Sequence, residues 1–488
     1  LNQTTVIDLD PEWIAVDYNL NLSSSSPAID AGVLSNCYQY SGIDIDRDMR
    51  VSNSIIDLGA QEYQLASQNK YFVDINSPCT VGCSGTSWQT AFSDLQTALT
   101  AAPAADEIWI AKGVYYPVIP ANPLSPTNSE KNASFLINKP IKLYGHFDGG
   151  ETKLSDRDMS DVLDLGASRT ILTGDIGVSN DNSDNSYLVF NIEILNSISN
   201  QDFSINGLTI SDGNNTKNGA GIKISSNNNY DHSLTISDVI IYKNKTIKDG
   251  AGFFTNSSNG KISFIRTKFL ENEATLGSAI RKTGGTTISL LNSIIANNEA
   301  TSSSAIYSIG GQDFIDNCSF SENVNSGGNI SDGNDVYYNG ANMTINNSIF
   351  WSDNTSSTNV EIYEKNPSTV SVNNSIVKGG YSGLNQTTVI DLDPEWIAVD
   401  YNLNLSSSSP AIDAGVSDCF YNSATDVDGD ALSYSLVSSP SNGTATLSGS
   451  TIDYEPNQDW NGTETFTYKA NDGQLDSNIS TVTITVNA

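Results

Sequence analysis

Basic residues are scarce in this chain of 488 residues: 23 Lys and Arg stand against 56 Asp and Glu, a formal charge of 23 − 56 = −33 at pH 7. A surface this acidic repels phosphate, so nucleic acid is not an expected partner. Histidine is scarcer still. The two present, His146 and His232, are too few and too far apart for a zinc enzyme, and no HExxH, GxSxG or GxxxxGK[ST] string occurs. No apolar run approaches the ~18 to 20 residues of a membrane-spanning helix. Cysteine is limited to Cys37, Cys79, Cys83, Cys318 and Cys419. Only the two in PCTVGC lie close together, where a local disulfide and a pair of free thiols both fit. Neither an initiator Met nor a signal peptide is present and Leu1 opens inside a motif, which predicts a segment of a longer exported polypeptide.

Asn, Ser and Thr, by contrast, make up about a third of the residues, a composition suited to a long, turn-rich β structure with polar outer faces and corners. The chain also repeats itself. Residues 1 to 33 recur unchanged at 384 to 416, and the following stretches, SNCYQYSGIDID and SDCFYNSATDVD, remain alignable with Cys37 opposite Cys419.

A shorter period lies between those copies. LTISDG, VIIYKN, TKFLEN, SIIANN, CSFSEN, SIFWSD and SIVKGG each end a strand in a polar corner, and their third residues are Ile210, Ile241, Phe269, Ile295, Phe320, Phe350 and Val377. A second ladder, GAGI at 219, GAGF at 250, GSAI at 277 and SSAI at 303, keeps phase with the first. In-phase ladders with variable spacing imply a coil of fixed cross-section with corner loops of variable length, which is a parallel β-helix. Asn244, Asn272, Asn298 and Asn323 recur at one corner and predict a stacked amide ladder. In SWQTAFSDLQTALTAA, Trp88, Phe92, Leu95 and Leu99 share one helical face with Ser87 as N-cap, predicting an amphipathic helix that covers the first coil. EIWIAKGVYY then reads as the first long strand.

The stretch from about 71 to 416 resembles bacterial right-handed β-helix repeat proteins of the surface and adhesin type, through YFVDINSPCTVGCSGTSWQTAFSDLQTAL, DEIWIAKGVYYP, LYGHFDGGETKLSDRD and the repeated GAGI and FLEN strings. Export and surface display are what that resemblance implies. DVDGDALSYSL, STIDYEP, WNGTETFTYKANDG and STVTITVNA resemble cadherin-like, immunoglobulin-fold adhesin repeats, and alternation at Leu432, Tyr434 and Leu436, and at Val482, Ile484 and Val486, independently predicts strands. The expected organisation is all-β. Residues 1–64 end a preceding β-helix, 65–70 link, 71–416 form a right-handed parallel β-helix with its capping helix, and 417–488 form a small β-sandwich.

Asp426, Asp428 and Asp430 place three carboxylates at alternate positions of a tight turn, which suits Ca²⁺, and the cadherin-like resemblance adds Asp472 as a further ligand. Ala431 and Val437 stand where an EF-hand needs Gly and Glu, so no EF-hand is implied. Asp148, Glu151, Arg157, Asp158 and Asp175 form a compact charged stretch, which a salt bridge around Arg157 explains without catalysis. Among aromatics, Tyr115, Tyr116, Tyr230, Tyr242, Tyr307 and Trp351 are the candidates to meet sugar rings. The expected function is a structural and adhesive segment of a bacterial surface or extracellular fibre protein, without enzymatic activity. Its expected partners are neighbouring repeats or subunits, surface glycans or other cells. A secreted polysaccharide-binding or polysaccharide-cleaving β-helix is the alternative.

Overall fold

The computed structural model describes residues 69–104, 106–194, 201–226, 232–327, 333–340, 342–352, 360–365, 370–383, 385–396, 403–406, 408–411, 433–448, 451–457, 460–471 and 480–486. The chain divides into two compact units, one spanning Leu65–Val416 and the other containing Ser417–Ala488. No helix among the described residues is long and apolar enough to cross a membrane.

The larger unit is a parallel β-helix built from a 19-stranded sheet, an 8-stranded sheet and a 5-stranded corner sheet. Alternation within each strand turns one set of side chains inward, and parallel pairing in register brings the same position of successive coils together. Ile210, Ile241, Phe269, Ile295, Phe320 and Phe350 are successive Cα partners along the long sheet, and Phe350 pairs with Val377. On the eight-stranded sheet Ile222, Phe253, Ile280, Ile306, Val336 and Ile362 do the same. Both rows are buried in one continuous core. Like stacks on like inside the cylinder, as in Phe320 on Phe350, whose ring centroids lie 4.4 Å apart.

The coil turns at corners held in the left-handed region, where short polar residues and glycine are tolerated best. Asp238, Arg266, Asn292, Asn317, Asn347 and Asn374 have φ between 47° and 55° at one corner, and Gly219, Gly250, Gly277 and Gly333 have φ between 60° and 79° at another. The glycines are obligatory on a second count, because a Cβ on Gly250 would stand 2.7 Å from the Phe253 carbonyl oxygen and 2.8 Å from Arg281 Cβ.

The predicted amide ladder is present. Asn272 Oδ1 accepts from the backbone N–H and the Nδ2 of Asn244, both at 3.1 Å, and Asn298 Oδ1 accepts from the same two groups of Asn272 at 3.0 and 2.9 Å. Asn323 Oδ1 serves Asn298 in the same way at 3.0 Å. All four side chains are buried, so each corner amide depends on the coil beside it.

At the N-terminal end the predicted helix is broken in two. A 3₁₀ turn, Trp88–Thr90, is capped by Ser87, and the α-helix proper, Leu95–Ala101, begins only after Asp94, whose carboxylate accepts from the backbone N–H groups of Gln96 and Thr97. Between them Phe92 makes a parallel bridge to Val73, which holds the chain extended and prevents one continuous helix. Leu95, Ala98 and Leu99 still plug the first coil, joining the core that contains Val73, Ile108 and Ile110. The first strand is Lys70–Val73, earlier than expected, and EIWIAKGVYY forms two strands, Glu107–Ala111 and Gly113–Tyr115.

The smaller unit contains an antiparallel sheet of Ser433–Ser438, Gly462–Asn471 and Ser480–Val486 and a hairpin of Gly443–Ser448 with Thr451–Pro456. Phe466, Tyr468 and Val482 are its buried centre, with Leu436, Ala445, Tyr454 and Ile484 packed against them.

The ladder makes Asn272 a sharp test of the fold. Asn272→Ala removes the acceptor of the buried Asn244 backbone N–H, while Asn244 Nδ2 keeps the Ile210 and Tyr242 carbonyls, a loss of roughly 1–3 kcal/mol in urea unfolding. The exposed Asn256→Ala should stay within about 0.5 kcal/mol of the parent. Equal midpoints for the two variants would show that the amide column carries no load.

Candidate functional site

On the eight-stranded sheet the residues between the inward rows point outward and align across coils. Leu136, Asn191, Lys223, Phe254, Arg281, Tyr307, Tyr337 and Tyr363 are successive register partners, one per strand. Parallel coils stack ~4.8 Å apart, so this row is a straight track along the helix axis.

The two halves of the track differ. Tyr307 and Tyr337 stack with centroids 4.2 Å apart and 7° between planes, Tyr363 continues the stack at 5.5 Å, and the Arg281 guanidinium covers the other face of Tyr307 at 4.3 Å. Tyr307 and Tyr337 thus spend both faces on their neighbours, which leaves their edges rather than flat platforms for a ligand. Burial pulls Arg281 below the usual arginine range, opposed by Asp249 at 3.5 Å.

The other half is open. Thr216, Lys217, Asn218, Lys223, Ser225, Lys248, Phe254 and Asn256 line a groove of about 490 Å³. Phe254 is buried, whereas Lys217, Lys248 and Asn256 are exposed and Lys223 is half-buried. Gly219 shapes the wall: a Cβ there would stand 3.0 Å from Lys223 Cβ and 3.3 Å from Phe254 Cβ. The corner loops carrying Lys217 and Lys248 are tied by side chains, since Asn215 Oδ1 accepts from Lys217 N at 2.9 Å and Thr246 Oγ1 accepts from Lys248 N at 3.0 Å. No carboxylate is among the lining residues.

Sequence reasoning did not find this groove. Lys217, Lys223 and Lys248 lie in different loops and strands, and only the coil register brings them together. Of the aromatic candidates, Tyr307 is on the track, while Tyr115 is buried with its hydroxyl donating to Ala111 O at 3.0 Å. Trp351 is buried beneath Lys378, and Tyr230 lies outside the described residues.

The charged stretch at 148–175 does not converge. Asp148 pairs with Lys112 at 3.1 Å, and Glu151 caps the backbone N–H groups of Asp148, Gly149 and Gly150. Asp158 accepts from Ser160 N, and Asp175 from Asn180 N. Arg157 makes no salt bridge among the described residues, contrary to expectation. It donates to Gly145 O and Asn206 Oδ1, both at 2.8 Å, and lies over the Tyr144 and Phe147 rings, where burial lowers it to about 10. Carbonyl and amide oxygens satisfy its N–H groups there without bringing a second charge out of water. Cys79 and Cys83 form a disulfide. Asp426, Asp428, Asp430 and Asp472, the predicted Ca²⁺ ligands, lie outside the described residues. Among the described residues no group of three or more His, Cys, Asp or Glu side chains is placed to hold a metal.

Two interior acids were also missed. In the GAGI ladder the residue before the inward Ile or Phe is Gly221, Gly252, Ala279 or Ala305, but in the next two coils it is Asp335 and then Glu361. Asn323, the end of the amide ladder, donates Nδ2 to Asp335 Oδ1 at 2.9 Å. The outer oxygens, Asp335 Oδ2 and Glu361 Oε2, are buried and receive no N–H or O–H donor, while the two carboxyls hydrogen-bond to one another. Such a pair is satisfied when one group keeps its proton. Burial accordingly pushes Glu361 up to about 7 and, together with the neighbouring Glu361 charge, holds Asp335 well above the usual carboxylate range. Glu322 adds to both shifts, while Asn334 and Lys378 act against that of Glu361.

Residues 393–485 match a family described as a bacterial Ig domain. No curated protein matches the chain. Among solved structures, a pectate lyase is similar at 13% identity and a TM-score of 0.41, over 72% of this chain and 92% of that one. A pectin methylesterase from Aspergillus niger is similar at 14% identity and a TM-score of 0.29, over 67% and 82%. A rhamnogalacturonan lyase is similar at 13% and 0.26, over 68% and 91%. These likenesses concern the β-helix fold and nothing finer. They nevertheless correct one expectation, that the chain is not an enzyme: the folds it is similar to carry the names of polysaccharide-processing enzymes, and the scarcity of His excluded only His-dependent chemistry.

The acid pair predicts an unusual pH dependence. Both folded-state values are raised, so between roughly pH 4.5 and 7 the folded chain holds a proton that the unfolded chain has released, and stability falls as pH rises through that window. Urea unfolding of the β-helix should lose on the order of 2 kcal/mol between pH 5 and pH 8. Asp335→Asn supplies an amide donor in place of the proton and should flatten that slope; an unchanged slope would remove the shared proton from the account.

Proposed function

We propose that this is an extracellular, polysaccharide-active β-helix protein that holds a carbohydrate chain along the outer face of its eight-stranded sheet. The observation that carries the reading is the straight register track, with the Phe254 groove in its open half. A polymer of repeating units needs a binding surface that repeats along a line, and a parallel coil supplies one with a fixed rise. Phe254 offers an apolar floor, while Thr216, Asn218, Ser225 and Asn256 offer hydroxyls and amides, the mixture that suits a sugar ring with apolar faces and a polar rim. The neighbouring folds named for pectin and rhamnogalacturonan chemistry agree with this reading.

Display within a repetitive surface fibre is the second reading, favoured by the unchanged recurrence of residues 1 to 33 at 384 to 416 and by the bacterial Ig domain match at 393–485. The two are compatible if the fibre presents the track.

Affinity electrophoresis of the full chain through a panel of plant and microbial polysaccharides tests the proposal, with release of new reducing ends or unsaturated products followed in parallel. At least one polymer should retard the protein. Phe254→Ala should weaken that binding about 10-fold, the equivalent of one good ring contact. Because Phe254 is buried, Asn256→Trp serves as a second variant: it fills the groove from an exposed position and should block binding without lowering the unfolding midpoint. A chain that neither binds nor cleaves any of the panel is not polysaccharide-active.

A further inference from the structure

We infer that the ligand of this groove is an acidic polysaccharide, one carrying a carboxylate or a sulfate ester on each repeat; the inference rests on the polysaccharide reading above and deepens it. The argument begins with charge. Only 23 basic residues serve the whole chain, yet Lys217, Lys223 and Lys248 line this one groove and Arg281 follows one register step beyond Phe254. Elsewhere on the coils several cations are matched to acids, Lys112 to Asp148, Lys243 to Glu271, Lys245 to Glu273, Arg266 to Asp238 and, inside the cylinder, Lys282 to Asp313, and others, such as Arg157, Arg169 and Lys131, are held by neutral oxygens. Lys217, Lys223 and Lys248 have no ion-pair partner among the described residues.

Two acids border the groove. Asp249 is engaged by Arg281, and Glu193, in register with Ser225, receives Asn191 Nδ2 at 3.1 Å. The groove therefore keeps a positive interior with an acidic border. Three ammonium groups from two corner loops and one strand surround an apolar floor. A ligand that places a pyranose ring on Phe254 and its anionic substituents outward satisfies both features. A neutral glycan leaves the three charges unused, and a simple phosphate leaves the floor unused.

The experiment measures retardation of the full chain by polygalacturonate and alginate as polyuronates, by dextran sulfate, by unsubstituted dextran and arabinan, and by duplex DNA. Acidic polysaccharides should bind, with the preferred class naming carboxylate or sulfate as the group recognised, and binding should weaken steeply with added salt. Lys223→Glu should cost at least about 10-fold in affinity and Lys217→Gln with Lys248→Gln a comparable amount, while Lys261→Glu, on the outer face of the long sheet, should change nothing. All four side chains are at least partly exposed, so unfolding midpoints should stay at the parent value. Preference for dextran or arabinan, lost in Asn256→Trp but not in Lys223→Glu, would overturn the acidic-ligand inference and leave the polysaccharide proposal standing. DNA held as tightly as the polyuronates would also overturn it, by reducing the groove to a general anion exchanger. Failure of every polysaccharide would end both.

Discussion

The parallel register between coils is the constraint from which everything else in the larger unit follows. Once Ile241 is paired with Ile210 and Phe269 on either side, every other position of that coil is committed to a neighbour above and below. The Asn corner shows how strict this is. The Asn272 amide is satisfied by Asn244, Asn298 and the Ile241 carbonyl, all from adjacent coils, and a slip of one residue would bury unpaired donors and acceptors together. The ladder thus specifies the register rather than merely adding to its stability.

That dependence explains which features were legible in the sequence. A side chain that must match its neighbours recurs, so the rows through Ile210 and Ile222 and the column through Asn244 were visible as spacings. The helix over the first coil was legible as a face but not in its extent, because Asp94 and the Phe92 bridge to Val73 are local competitors that a periodicity count passes over. The groove was not legible. Outward positions carry no packing requirement, so Lys223, Phe254, Arg281 and Tyr307 have nothing in common as residue types, and only three-dimensional register makes them neighbours.

The interior departs from the apolar cylinder that the spacings imply. Lys282 and Asp313 meet at 2.6 Å inside it, with the Ser308 hydroxyl donating to Asp313 and the Thr286 carbonyl accepting from Lys282. One strand-end later in the winding, Asp335 and Glu361 occupy the place that Gly221 and Gly252 hold in earlier coils. Buried polar groups are tolerated when every partner is present, and they raise the cost of any alternative arrangement. A stack of near-identical coils has many nearly equivalent registers. Two unlike polar clusters, one a cation with an anion and the other two acids with a proton, mark particular coils and give the C-terminal half an identity that hydrophobic stacking alone does not provide.

The same economy applies outside, where a net charge of −33 surrounds a small positive groove. At physiological salt a charge is felt over about 8 Å, so a distant polyanion meets the acidic surface first and is turned away. Within that range the balance reverses, because the groove lining contains Lys217, Lys223 and Lys248 and no carboxylate. On the proposed reading, attraction of this kind would select by fit rather than by long-range steering: a polymer would be held only where it could thread its anionic substituents between the three ammonium groups while a ring lay against Phe254. A uniformly basic face would collect any polyanion, whereas a basic furrow in an acidic surface would discriminate against those whose backbone is too wide or too evenly charged to enter it.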